Sequence, residues 1–333
     1  MNDEDIELAL KSAGPREKPP LEVEHAVREQ LRAEWRVIVA EKRRDRWRQT
    51  AFAAAAGILG VAIGLWIASP QLGGPAMPVA TMTLASGEVR VSSGWLHGWR
   101  DIVPGQPLAI GQTLETGPSG RGALALPGGV SARLDHDTLL IITDGDQLTL
   151  KRGALYVDAG PPAMPVSRLD VITASGSVRH IGTQYEVRLM GSGVRLRVRE
   201  GRVEWRARSG GIERSETGEQ LTIASDGTVE RRAMPLYGES WDWIEATAPG
   251  IQIDGLPLAR FLSWIGRELG REIVYSSPQT AADVASIVVH GSISGLTPAQ
   301  ALKAVLATTS VRAVIADGRI VVGSEESAAQ PAD

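Results

Sequence analysis

The 333 residues allow about two or three folded units at 100 to 200 residues each. Lys plus Arg (35) against Asp plus Glu (39) leaves a formal charge of −4, without the basic excess of a general nucleic-acid binder. The absence of cysteine excludes disulfides, thiolate metal sites and thiol catalysis, and 43% hydrophobic residues exclude a wholly disordered chain.

Residues 1–20 mix charges with Gly14, Pro15, Pro19 and Pro20, too little apolar surface to hold a fold. From Leu21 to Trp47 there is no Gly or Pro, and Val23, Val27, Leu31, Trp35, Ile38 and Val39 recur at spacings of three and four. That spacing predicts an amphipathic helix, whose apolar side needs a partner to cover it. Ala51 to Ser69 then runs nineteen residues without a charge. As a helix it would cover roughly 28 Å of a roughly 30 Å hydrocarbon layer. Lys42, Arg43, Arg44, Arg46 and Arg48 crowd its N-terminal side, while no charge follows it until Glu88. This asymmetry predicts a single-pass anchor with a cytoplasmic N-terminus.

After a Gly/Pro linker (70–80), residues 81–236 change to period-two patterning with frequent turn residues, the signature of an all-β domain. Val130–Leu134 and Leu148–Lys151 alternate in this way. Val194 to Arg199 (VRLRVR) alternates without a slip, giving one apolar face and one cationic face, and Glu200-Gly201 offers a turn before Val203 and Trp205 resume. Gly160 to Pro165 reads as a surface loop. Residues 237–249 form a polar connector with two tryptophans.

Residues 250–323 read as strand, helix, strand, strand, helix, strand, strand, ahead of a disordered tail (324–333). Pro257 opens a helix carrying Leu258, Phe261, Leu262, Ile265 and Leu269 that ends at Gly270. Ile273 to Tyr275 and Ser286 to Ile293 read as strands. Thr297-Pro298 starts a second helix, and Asp317-Gly318 turns a hairpin.

The chemistry-bearing residues do not assemble into a recognisable site. His25, His97, His136, His180 and His290 are scattered without metal-ligand spacing, and the nucleotide-loop and nucleophile-elbow motifs are absent. Asp135 and Asp137 are read as turn carboxylates and His180 as a structural histidine. No enzyme, cofactor, metal or direct nucleic-acid contact is expected.

Five short runs in register resemble the periplasmic domain of FecR-family transmembrane regulators. They are Leu114 to Arg121, Leu134 to Thr138, Arg152 to Asp158, Val178 to Val187 and Val198 to Val203. Gly153, Tyr156, Gly182, Thr183, Tyr185, Val187 and Gly201 are the motif positions, read as fold determinants. Gly182 and Gly201 sit where a sheet must bend, and Tyr185 and Val187 point to one side. Residues 250–323 resemble the secretin and TonB short N-terminal (STN) domain, a protein docker. The expected fold class is therefore a multi-domain membrane protein with a cytoplasmic α-helix, one transmembrane helix, a mainly-β FecR domain and a small α+β (βαββαββ) domain. The resemblance implies an inner-membrane signal transducer with its C-terminal domains in the periplasm. It implies as partners an extracytoplasmic-function sigma factor on the cytoplasmic arm (1–50) and the signalling domain of a TonB-dependent outer-membrane receptor on residues 250–323, often under iron-uptake control. The alternatives from other classes are a membrane-anchored periplasmic binding or cell-wall-associated protein and a hydrolase with polar side chains clustered in one outer pocket.

Overall fold

The computed structural model describes residues 78–94, 98–160, 168–191 and 193–324. The chain forms two compact units, Met1–Pro75 and Ala76–Asp333, and all described residues lie in the second. The arm helix with Val23, Val27, Leu31, Trp35 and Ile38, the basic cluster from Lys42 to Arg48, the apolar stretch 51–69, the prolines of the Gly160 to Pro165 loop and the tail beyond Ser324 lie outside the described residues.

A sixteen-stranded sheet fills residues 80–233 and curls into a half-barrel. Its path brings Val130–Leu134, Ala154–Asp158, Gly176–Met190 and Gly193–Ala207 side by side as antiparallel neighbours. Among the described residues, the one parallel pair of this sheet joins Asp170–Ile172 to Gln147–Arg152. The strand read at Val130–Leu134 forms with those bounds. Alternation puts Ala132, Leu134, Leu155, Val157, Tyr185, Val187, Leu196 and Val198 on one side, where they join a single buried cluster.

Glu200-Gly201 is a bulge, not the turn its composition suggests. Gly193–Ala207 continues through it as one fifteen-residue strand, and the register with Gly176–Met190 shifts between Ile181 and Tyr185. Gly182 and Gly201 both take left-handed φ, +60° and +83°. The core positions pass from Leu196 and Val198 to Val203 and Trp205, an odd step that would throw the second pair outward in a regular strand. Facing bulges at two glycines restore the phase on both strands.

Residues 250–324 build a second core from Phe261, Leu262, Ile265, Val284, Leu302, Ile320 and their neighbours. Helix α1 is Asp242–Glu245, α2 is Leu258–Leu269, α3 is Pro278–Ser286 and α4 is Pro298–Leu306. Thr297 and Gln300 close a capping box on α4, and α2 ends at Gly270 in the left-handed conformation. The hairpin of Val311–Ala316 and Arg319–Ser324 turns at Asp317 and Gly318, both with positive φ. The strand expected over Ser286 to Ile293 is corrected: only Val288–Val289 is extended, and α3 precedes it. Ser277, which accepts from the Thr280 N–H, and Pro278 at the first helical position start that helix.

The expected fold class is corrected as a whole. The described chain is mainly β, its four α-helices have at most 12 residues, and among the described residues no helix is long and apolar enough to cross a membrane. The β layer and residues 250–324 belong to one compact unit.

Candidate functional site

Alternation that sends Leu155, Val157, Tyr185 and Val198 to the core sends Arg133, Tyr156, Glu186 and Arg197 to the opposite side. These four align in one row across four strands, since Tyr156 pairs with both Arg133 and Glu186, and Glu186 with Arg197. Arg195 and Arg199 flank the row on the Gly193–Ala207 strand. The sequence reads the polar face of Val194 to Arg199 as cationic. The structure buries the row: Arg133 is 0% exposed, Arg199 2% and Glu186 0%, so the charged face is itself an interior.

The cover comes from residues 235–271. Arg133 donates two parallel hydrogen bonds to the Glu268 carboxylate, Nη1 to Oε2 at 2.8 Å and Nη2 to Oε1 at 2.9 Å. Its Nη1 also donates to the Ile244 carbonyl at 2.9 Å. The guanidinium lies over the Tyr156 ring, 5.2 Å from its centroid. Burial alone would lower the Arg133 pKa, yet the charge and hydrogen bonds of Glu268 hold it above the ordinary value. Arg199 donates to the carbonyls of Leu236 (2.8 Å) and Glu268 (2.9 Å) and lies 3.5 Å from Glu245. Arg267 reaches back from α2 to Asp158 (2.6 Å) and Glu200 (2.5 Å). Burial pushes the Glu200 and Glu245 carboxyls up, opposed by Arg267 and Arg199 respectively.

The polar connector read at 237–249 is in fact a wedge. Trp241 and Ile244 are fully buried and form a small apolar cluster with Trp243, Ala154 and Tyr156. The Trp241 ring receives Arg197 at 4.1 Å and Arg199 at 5.0 Å, and meets Tyr156 edge-on at 6.3 Å. Its Nε1 donates to the Pro235 carbonyl. Gly270 closes the contact: a Cβ there would collide with the Leu236 carbonyl and the Arg199 guanidinium.

The motif residues fall in different places. Tyr156 is in the charged seam, and burial pushes its phenol pKa up. Tyr185 and Val187 are in the apolar core, where Tyr185 stacks on His180. His180 accepts from the Leu169 N–H at 3.1 Å. Gly182, Thr183 and Gly201 lie at the paired bulges, and Gly153 sits at positive φ against Thr138. Asp135 is buried and takes Arg188 (2.5 Å) and Arg121 (3.1 Å), whereas Asp137 is exposed beside His136. The two carboxylates do not act together. Arg133, Glu186, Arg199, Trp241 and Glu268 were not singled out by the sequence reading. Among the described residues no group of His, Asp and Glu is placed to hold a metal ion. The arrangement can bind and orient one chain segment on another; it offers no reacting pair.

Residues 112–204 match the FecR protein family. This FecR segment contributes the sheet side of the seam, from Arg133 to Arg199, and none of the covering side. No curated protein matches the chain. Two crystal structures of a candidate anti-sigma factor from Parabacteroides distasonis are similar at 18% identity and a TM-score of 0.34. They cover 64% and 63% of this chain and 98% and 97% of their own.

Proposed function

We propose that this protein is a FecR-type regulator of an extracytoplasmic-function sigma factor, working at the inner membrane with its β unit on the periplasmic side. The observation that carries the reading is the FecR match across residues 112–204, which takes in the central strands of the sheet. In this reading the apolar stripe Val23, Val27, Leu31, Trp35 and Ile38 holds the sigma factor. Residues 250–323 receive the signalling domain of a TonB-dependent outer-membrane receptor. Val311–Ala316 is an edge strand of its small sheet, with Val314 64% exposed, and such an edge is open to strand addition. The reading assigns no catalytic step and no cofactor.

The test is co-expression of the full chain with each extracytoplasmic-function sigma factor of its genome, followed by co-purification. One sigma factor is expected to be retained by the wild type and lost with Leu31→Asp and with Trp35→Asp. Retention of none, or equal retention by both variants, contradicts the proposal.

A further inference from the structure

We infer that residues 235–324 are a reversible latch on the FecR segment, clamped shut by the Arg133–Glu268 ion pair and released as a folded body. Each side carries its own core. The buried cluster of the sheet and that of residues 253–322 share no residue, so either can persist when the seam opens. Between them lie the small Trp241 cluster, the ion pairs of Arg133 with Glu268, Arg199 with Glu245 and Arg267 with Asp158 and Glu200, and hydrogen bonds from Arg133, Arg197 and Arg199 to the carbonyls of Ile244, Ser240, Leu236 and Glu268.

Such a seam is suited to opening. The Coulomb gain of a buried ion pair is largely offset by the desolvation of its two charges, so the closed state is favoured by a small difference between large opposing terms. Opening returns those charges to water, whereas opening an apolar interface would expose surface that water rejects. The closed seam is also imperfectly satisfied, since Tyr156 Oη and Arg133 Nε are buried without a hydrogen-bond partner. Opening uncovers Arg133, Arg197 and Arg199 together. The latch deepens the regulator reading, and its biological use rests on that reading: a partner arriving at residues 250–323 acts on the FecR segment by shifting the closed–open balance.

The experiment uses the full chain, whose lack of native cysteine permits Ser209→Cys and Ser310→Cys as a spin-label pair, one on the sheet side and one on the latch side. Pulsed dipolar spectroscopy of the otherwise wild-type pair is expected to show one dominant distance. Adding Glu268→Gln is expected to raise a second population at least tenfold while thermal unfolding of the sheet is unchanged. A single unchanged distance with Glu268→Gln, or its appearance only together with loss of the sheet, overturns the latch. This readout is independent of sigma-factor co-purification, so failure of the latch and failure of the regulator reading are told apart.

Discussion

Arg133 and Glu268 stand 135 positions apart in the chain and meet in a two-bond ion pair, with side chains 0% and 3% exposed. Removing one partner strands the other charge in the interior, whereas replacing both removes the desolvation cost along with the attraction. Glu268→Gln is therefore expected to weaken docking of α2 by about 3 to 5 kcal/mol. The double change Arg133→Met with Glu268→Met should cost clearly less. The distance distribution of the Ser209→Cys/Ser310→Cys spin-label pair reads both, and equal open populations would contradict the ion pair's assigned role.

Gly270 and Gly182 share a φ of +60° but differ in surroundings. A Cβ at Gly182 meets nothing within 4 Å, while one at Gly270 strikes the Leu236 carbonyl and Arg199. Gly182→Ala should cost about 1 to 2 kcal/mol, the penalty of the left-handed conformation alone. Gly270→Ala should cost more, because the collision adds to it. Urea unfolding of the two variants ranks them; the reverse order would refute the close approach of Gly270 to the connector.

Trp241 fills the space between two guanidinium groups and a tyrosine edge. Trp241→Ala is expected to cost about 3 to 5 kcal/mol, the range for emptying a buried aromatic site. Trp241→Phe should recover part of that, because a smaller ring still presents a face to Arg197 and Arg199. Thermal unfolding of the pair is the check, and indifference to both changes would show the connector to be peripheral.

Asp135 fixes the direction of acid sensitivity. Burial would raise its pKa, but hydrogen bonds from Arg188, the His136 backbone N–H and Arg121 hold it below the ordinary carboxylate range. A carboxyl depressed in the folded state stabilises fully above its unfolded pKa of about 3.9, and that stability is lost as pH falls through the folded value. Asp135→Asn should then lower stability by about 1 to 3 kcal/mol at pH 7. The gap from wild type should narrow progressively as pH falls below about 4. A gap that stays constant down to a pH of about 2 would rule out this charge as its source.

What was legible in the sequence is local. Period-two runs located Val130–Leu134 and the Val194 to Arg199 strand, and the Asp317-Gly318 pair located its hairpin, because each signal lies within a few residues. Helix α3 was also written locally, in Ser277-Pro278, but the apolar run after it read as one long strand. The fold class is not legible in the same way: the hydropathy of residues 51–69 points to a spanning helix, while the described chain is a β unit without one. The seam had no local signal. Arg197 and Arg199 alternate with apolar residues as solvent-facing arginines do, and nothing near them announces the carbonyls of Ser240 and Glu268 that receive them. Two tryptophans in a polar connector were the one usable hint, since aromatic residues of that size are seldom left in water.

Arg133, Arg197 and Arg199 of the FecR segment are sealed inside the protein. Native-state modification with phenylglyoxal, read residue by residue by mass spectrometry, tests it most directly. Arg133, Arg197 and Arg199 should stay unmodified while Arg202 and Arg206 on the same sheet, with side chains 54% and 49% exposed, react. Modification of the first three as fast as the last two would contradict the account.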